Sequence, residues 1–304
     1  MHNHNAHARE PQDFSKAFAI GIGLNLAFVL VEGFYGWKVN SLALLADAGH
    51  NLSDVAGLVL AWGGAMAGKL KADDRHTYGW RRGSVLAAFI NAVLLLVAMG
   101  SLGWEAITRL GAPEATEGWT VIWVAAIGIG INTATALLFM RARGKDLNIR
   151  GAFLHMAADA LVSVGVVVGG VLYLWKGWAW LDPVMSLGIA IVIVVGTASL
   201  FKQSLHLLFD GVPDDINLED VRNLVLGLPG VAGIHDLHVW AMGTSQVALT
   251  AHIVVSSDAS DNAALLAKAE HELDEHFEIR HVTLQVESVA YALHCAQQRN
   301  SCAA

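Results

Sequence analysis

Six long apolar runs constrain this chain more than anything else in it. They fall at Phe14–Trp37, Leu42–Gly68, Ser84–Leu110, Trp119–Met140, Gly151–Trp175 and Pro183–Leu208. Each has about 20 residues or more, enough to cross roughly 30 Å of hydrocarbon as a helix. A bilayer core offers no water to the backbone, so each run must satisfy its own hydrogen bonds, and a helix does so. Six consecutive runs without a polar face argue against a soluble helical bundle. Of the 304 residues 15% are charged and 55% hydrophobic, whereas soluble domains carry about 25% charge. The expected fold is therefore an all-α, six-helix transmembrane bundle over residues 14–211, preceded by a polar tail at 1–13.

Basic residues orient the bundle. Arg9, Lys16, Lys69, Lys71, Arg75, Arg81, Arg82, Arg141, Arg143, Lys145, Arg150 and Lys202 fall on one side, against Lys38, Arg109 and Lys176 on the other. The positive-inside rule then predicts a multi-pass protein of the cytoplasmic membrane with both termini in the cytoplasm. Trp37, Trp119, Trp175, Trp178 and Trp180 lie at run ends on the opposite side, as an interfacial aromatic belt does. Met1–Asp13 lacks a basic start, a short apolar core and a cleavage site, so no signal peptide is expected. No basic stripe marks a soluble face, which speaks against nucleic acid as a partner. The two cysteines, Cys295 and Cys302, fall in the last ten residues and suggest no disulfide framework.

Ionisable residues inside such runs are expensive and functional by default. The second run holds His50 and Asp54, and the fifth holds His155 and Asp159. A spacing of four puts each histidine and aspartate on one helix face. Two such pairs supply two nitrogens and two oxygens, a donor set suited to tetrahedral Zn²⁺. A structural interhelical hydrogen bond is the competing explanation for one pair, and less so for two. Asp47, three residues before His50, is expected as an accessory or entrance group. Asn25, Glu32, Asn91 and Asn132 are expected to bond between helices, with lining of a pore as the alternative, and Gly33/Gly36 and Gly63/Gly64 to allow close helix packing.

From Pro213 the character changes. The pattern predicts a helix near Asn217–Leu228, strands near Ile234–Ala241 and Gln246–Val255, a helix over Asn262–Phe277 and a strand near Arg280–Glu287. That order, αββαβ, describes a small α+β domain over residues 212–290, with helices on one face of a three-stranded sheet. A tail at 291–304 follows, carrying His294, Cys295 and Cys302, which could capture metal in a reducing compartment. His2, His4 and His7 in the first tail are expected to bind metal only weakly.

The ordered set of motifs resembles the cation diffusion facilitator family, in its bacterial zinc-exporting branch, over essentially the whole chain. It comprises Ser41-Leu-Ala-Leu-Leu-Ala-Asp-Ala-Gly-His50-Asn-Leu-Ser-Asp54, His76-Thr-Tyr-Gly79-Trp-Arg-Arg82, Asn148-Ile-Arg-Gly-Ala152, Gly177-Trp178 with Asp182-Pro183, Leu208-Phe-Asp-Gly-Val-Pro213 and His235-Asp-Leu-His238-Val-Trp240. The resemblance implies that His50, Asp54, His155 and Asp159 bind the transported ion, with two His-Asp pairs selecting zinc. It implies a loop site at Asp73 and His76, although Trp80 stands at the third ligand position. It implies a charged pair, Arg82 with Asp210, near a dimer axis. It implies a metallochaperone-like cytoplasmic domain that dimerises and holds regulatory zinc on His235, His252, Glu287 and His238, with Gln285 where some relatives have a ligating histidine.

The expected function is a homodimeric Zn²⁺/H⁺ antiporter working by alternating access, with no catalytic residues. Zinc is its substrate and regulatory ligand, and the bilayer and protons its other partners. A membrane-anchored zinc sensor without transport is the alternative. An intramembrane metalloenzyme is a weaker one, because four protein ligands leave no open position on the ion.

Overall fold

The computed structural model describes residues 14–67, 72–141, 147–244, 246–256 and 262–298, with the side chains at 14–22, 54, 57, 58, 60–67, 138–141, 147–158 and 294–298 outside the description. All six apolar runs are helices: α1 (Phe14–Lys38), α2 (Leu42–Ala67), α3 (Gly83–Gly111), α4 (Gly118–Arg141), α5 (Leu147–Lys176) and α6 (Leu181–Leu208). The shortest, α4, has 24 residues, a length of about 36 Å. Among the described residues, four stretches are long and apolar enough to cross a membrane: Gly83–Gly111, Gly118–Leu137, Asp159–Lys176 and Leu181–Leu208.

The chain divides into two compact units, residues 1–59 with 91–199, and residues 60–90 with 200–304. In the first unit the usual arrangement of polarity is inverted. Trp37, Trp104, Leu161 and Val192 are largely exposed, whereas Glu32, Asp47, Asn51, Asn132, Asp159, Ser163 and Ser186 are buried. A lipid-facing exterior and a polar interior produce that distribution. Phe28, Leu44, Val121, Val124, Ala125 and Val166 make one apolar core around the polar groups. Gly36 permits a tight approach, because a Cβ there would lie 3.1 Å from that of Leu44. Interhelical bonding of the asparagines is seen at Asn91, whose Nδ2 donates to Ser53 Oγ at 3.2 Å.

The start of α2 is built by another helix. Asp182, in the first turn of α6, accepts from Ser41 Oγ at 2.5 Å, from Leu42 N at 2.8 Å and from Ala43 N at 3.4 Å. A carboxylate at a helix N-terminus satisfies backbone donors that have no intrahelical partner and complements the helix dipole. Arg109 at the end of α3 donates to Asn40 O at 2.9 Å and to Asn40 Oδ1 at 2.7 Å. The turn before α2, with Asn40 at a left-handed φ of 57°, is thereby pinned.

In the second unit, α7 (Leu218–Leu226), β1 (Val231–Gly243), β2 (Gln246–Val255), α8 (Asn262–Phe277), β3 (His281–Ser288) and α9 (Val289–Gln298) follow in order. Asn217 caps α7, its Oδ1 accepting from Glu219 N. The sheet order is β1-β2-β3, with β1 and β2 antiparallel and β2 and β3 parallel. Val221 and Val225 of α7 and Leu265, Ala269 and Leu273 of α8 share one core with Ile234, Leu237, Val239, Leu249, Ala251 and Ile253. The αββαβ order therefore stands as expected, and α9 adds a helix beyond it, reaching into the residues expected to be a tail. The β1–β2 turn meets the start of α3 closely. Thr244 N donates to Ser84 Oγ at 3.2 Å, and a Cβ at Gly243 would lie 2.9 Å from Arg81 O, so only glycine fits there.

Candidate metal centres

The membrane site begins with two helices. α2 carries His50 and, four residues on in sequence, Asp54, while α5 carries His155 and, four residues on, Asp159. His50 Nε2 lies 3.4 Å from Asp159 Oδ1, with the aspartate side chain 2% exposed and the histidine 23% exposed. Both described members of the expected tetrad are thus brought together across the helix pair. The side chains of Asp54 and His155 lie outside the described residues.

Asp47 bonds across the same helix pair. Its Oδ2 accepts from Ser163 Oγ of α5 at 3.1 Å, and its carboxyl comes within hydrogen-bond reach of Glu32 on α1. Glu32 Oε2 in turn accepts from Asn51 Nδ2 at 3.3 Å. Glu32 therefore bonds between helices, as its position predicts. Ser163 went unremarked in the sequence, where its spacing of four from Asp159 was the one available signal.

In the loop, Asp73 serves its own turn. Its Oδ1 accepts from Arg75 N at 2.8 Å and His76 N at 2.6 Å, and His76 Nδ1 lies 3.2 Å away. The backbone donors of His76 and Arg75 hold the Asp73 carboxyl below the ordinary carboxylate range. The His76 ring packs on Trp80, centroid to centroid 4.1 Å. Among the described residues no third ligand joins this pair. Arg82 and Asp210 form the expected ion pair, both partly exposed.

The C-terminal site is set by sheet register. His235 of β1 faces His252 of β2, and β3 runs alongside with Gln285 opposite His252 and Glu287 opposite Val254. Between His235 and His238, β1 carries a bulge, with Asp236 at φ 52°. The extra residue reverses the alternation, so Ile234, Leu237 and Val239 all reach the core while His235 emerges on the other face with His252. Glu287 Oε2 lies 3.0 Å from His235 Nε2, and Oε1 lies 2.8 Å from His252 Nδ1, with the Glu287 side chain 1% exposed. Gln285 Nε2 donates to Glu287 Oε1 at 2.7 Å. Nitrogen and oxygen ligand atoms of His235, His252 and Glu287 all fall within 4.8 Å of one another. The His252 Nδ1 contact is off the hydrogen-bond direction, and no other partner satisfies that buried nitrogen. A half-buried donor set around one buried carboxylate fits a divalent ion of intermediate softness.

His238 sits at the margin. It is 64% exposed and pairs with Asp236 at 3.1 Å, and that contact is the main cause holding the Asp236 carboxyl below its usual range. His252 Nε2 is 3.6 Å from Asp236 Oδ2. His271 and His276 pair with Glu275 and Glu272 along the exposed face of α8, as solvated helix residues do. The side chains of His294 and Cys295, all of Cys302, and His2, His4 and His7 lie outside the described residues.

Family profiles cover both parts of the chain: the cation efflux transmembrane domain matches residues 18–209, and the cation efflux protein cytoplasmic domain matches residues 213–289. The chain belongs to the cation efflux family. The resemblance read from the motifs is borne out, and membership places the protein among cation transporters rather than enzymes or tethered sensors. A cadmium, cobalt and zinc/H(+)-K(+) antiporter of Bacillus subtilis is 35% identical over 294 residues, 95% of this chain and 93% of that one. The metal cation efflux system protein CzcD of Cupriavidus metallidurans is 34% identical over 277 residues, 91% and 88% of the two chains. The zinc transporter ZitB of Escherichia coli is 34% identical over 288 residues, 94% and 91% of the two. A solved structure, the metal-bound C-terminal domain of the Cupriavidus metallidurans CzcD transporter, is 36% identical and covers 24% of this chain and 99% of that one, with a TM-score of 0.22.

Proposed function

We propose that this cation efflux protein exports Zn²⁺ from the cytoplasm in exchange for protons, working as a homodimer by alternating access. The observation that carries the reading is the His50–Asp159 approach across α2 and α5, at the head of a buried polar layer inside otherwise apolar helices. One ion per protomer would sit on His50, Asp54, His155 and Asp159. The relatives' names support zinc as cargo and protons as counter-ion.

The coupling follows from the ligands. Zinc needs neutral imidazole and ionised carboxylate, so protons and metal compete for the same atoms. Histidine, with an ordinary pKa of about 6.5, changes charge within the range that a transmembrane pH difference spans. With the site open outward, protons replace zinc on the ligands. With it open inward, zinc replaces protons. Rocking of helices around a fixed site then exchanges the two.

Residues 14–211 would form the translocating domain of the cytoplasmic membrane, with both termini inside. Residues 212–290 would form the cytoplasmic dimerisation domain, with short tails at 1–13 before the translocating domain and at 291–304 after this one. His235, His252 and Glu287 would hold a regulatory zinc ion, which supplies a charge that draws their strands together. His238 would join only after turning from Asp236. Asp73 and His76 would serve the access path, with Arg82 and Asp210 near the dimer axis and the tail residues His294, Cys295 and Cys302 as capture groups.

Proteoliposomes with an imposed pH difference test the reading. Wild-type protein is expected to move radioactive zinc against its gradient, and His155→Ala to abolish that flux while the dimer persists. Full residual flux in His155→Ala would remove the assigned site.

A further inference from the structure

The two helices that carry the ion ligands are joined by a second side-chain bridge close to the first. Asp47 precedes His50 by three residues on α2, and Ser163 follows Asp159 by four on α5. The Asp47–Ser163 hydrogen bond of 3.1 Å therefore spans the same two helices about 5 Å further along their axes, on the side of Leu42. α1 backs it. Glu32 accepts from Asn51 on α2 at 3.3 Å and meets the Asp47 carboxyl, so three helices are tied at one level. Glu32, Asp47 and Ser163 are 0% exposed and Asn51 is 4% exposed, so water does not weaken these bonds.

We propose that Glu32, Asp47, Asn51 and Ser163 form a strut that fixes the spacing of α2 and α5 at the ion site and so determines which divalent ions the site accepts. The proposal rests on the reading of His50 and Asp159 as ion ligands. None of the four strut residues belongs to the His-Asp tetrad. Zinc demands short bonds of about 2.0–2.2 Å to nitrogen and oxygen. A site rejects a larger ion of similar softness, such as Cd²⁺, only when its ligands cannot move apart. Selection by size thus depends on the rigidity of the support. Here the ligands sit on separate helices, so their separation is a helix–helix distance. Among the described residues, the hydrogen-bonded bridge one turn away is the structure placed to hold that distance. Residues that support ligands without touching the ion characteristically change metal affinity 10–100-fold.

The test compares initial rates of zinc and cadmium transport by the full-length protein in proteoliposomes. Ser163→Ala removes one hydroxyl and leaves both helices whole. It is expected to raise KM for zinc about 10-fold and to raise the cadmium-to-zinc ratio of kcat/KM by about five-fold, the equivalent of one hydrogen bond. Glu32→Ala is expected to behave alike. Glu32→Gln retains an acceptor for Asn51 and gains a donor for Asp47, so it is expected to restore the wild-type ratio. An unchanged ratio in both Ser163→Ala and Glu32→Ala overturns the strut, as does a Glu32→Gln variant no better than Glu32→Ala. His50→Ala in the same vesicles separates the two claims. Lost flux there with an unchanged ratio in the strut variants defeats the strut alone, and retained flux defeats the ion site itself.

Discussion

The protein gathers imidazole and carboxylate in two places, on opposite kinds of support. In the membrane, His50 and Asp159 meet from separate helices, and the bridges between those helices are side-chain contacts. In the C-terminal domain, His235, His252 and Glu287 sit on neighbouring strands whose backbone ladder fixes their register. A few side-chain bridges hold helix spacing within one state and can be exchanged for others when helices rock, whereas a ladder moves only by breaking many hydrogen bonds. The first arrangement suits an ion in transit and the second an ion in residence. Among the described residues neither includes cysteine, whose thiolate would favour retention.

The largest expected effect divides the two. Asp159→Ala should abolish proton-driven zinc flux, at least about 100-fold, since it strips a proposed ligand that lies 3.4 Å from His50. Zinc binding by the C-terminal domain, followed calorimetrically, should not change. Glu287→Ala should do the converse, weakening zinc binding by the domain about 100-fold while flux at saturating zinc persists. If Glu287→Ala also abolishes flux at saturating zinc, the two sites are not separable and the division between transit and residence fails.

Much of this was legible in the chain because its signals are local. Six apolar runs become six helices, and the i, i+4 spacing of each His-Asp pair survives in α2 and α5. The alternation of Val247, Leu249 and Ala251 places β2, and Asp182-Pro183 acquires a physical meaning as the cap that starts α2 from α6. What stayed hidden depends on encounters between distant residues. Nothing near Ser163 announces that it will meet Asp47, 116 positions away. The bulge in β1 is hidden differently. Simple alternation from Leu237 and Val239 would bury His235, and the residue that prevents this, Asp236 at φ 52°, is neither glycine nor asparagine. Asp73 has a further use that its spacing announces. A carboxylate two and three residues before backbone donors is first a turn-forming group, and the structure uses it so.

A smaller effect probes how the resident site is held. Gln285 touches no ligand nitrogen but donates to Glu287 Oε1 at 2.7 Å, fixing the carboxylate's rotation. Gln285→Ala should weaken zinc binding by the domain about 10-fold, the lower end of what an orienting partner contributes, and Gln285→Asn should fall between. Equal affinity in all three proteins would mean that the ladder alone positions Glu287.

The smallest effect tests the bulge on which the ladder's placement of His235 depends. A left-handed φ costs a residue with a side chain roughly 1–2 kcal/mol, most for β-branched ones, and glycine almost nothing. Asp236→Gly should therefore leave the domain's stability within about 1 kcal/mol of wild type, losing the solvent-screened contacts to His238 and His252, and should keep zinc binding. Asp236→Val should lower stability by about 1–2 kcal/mol in denaturant titration. It should also weaken zinc binding, because straightening the bulge turns His235 back toward the core side and away from His252. If Asp236→Val binds zinc as tightly as Asp236→Gly, the bulge does not present His235, and the resident site owes less to backbone register than its contrast with the membrane site requires.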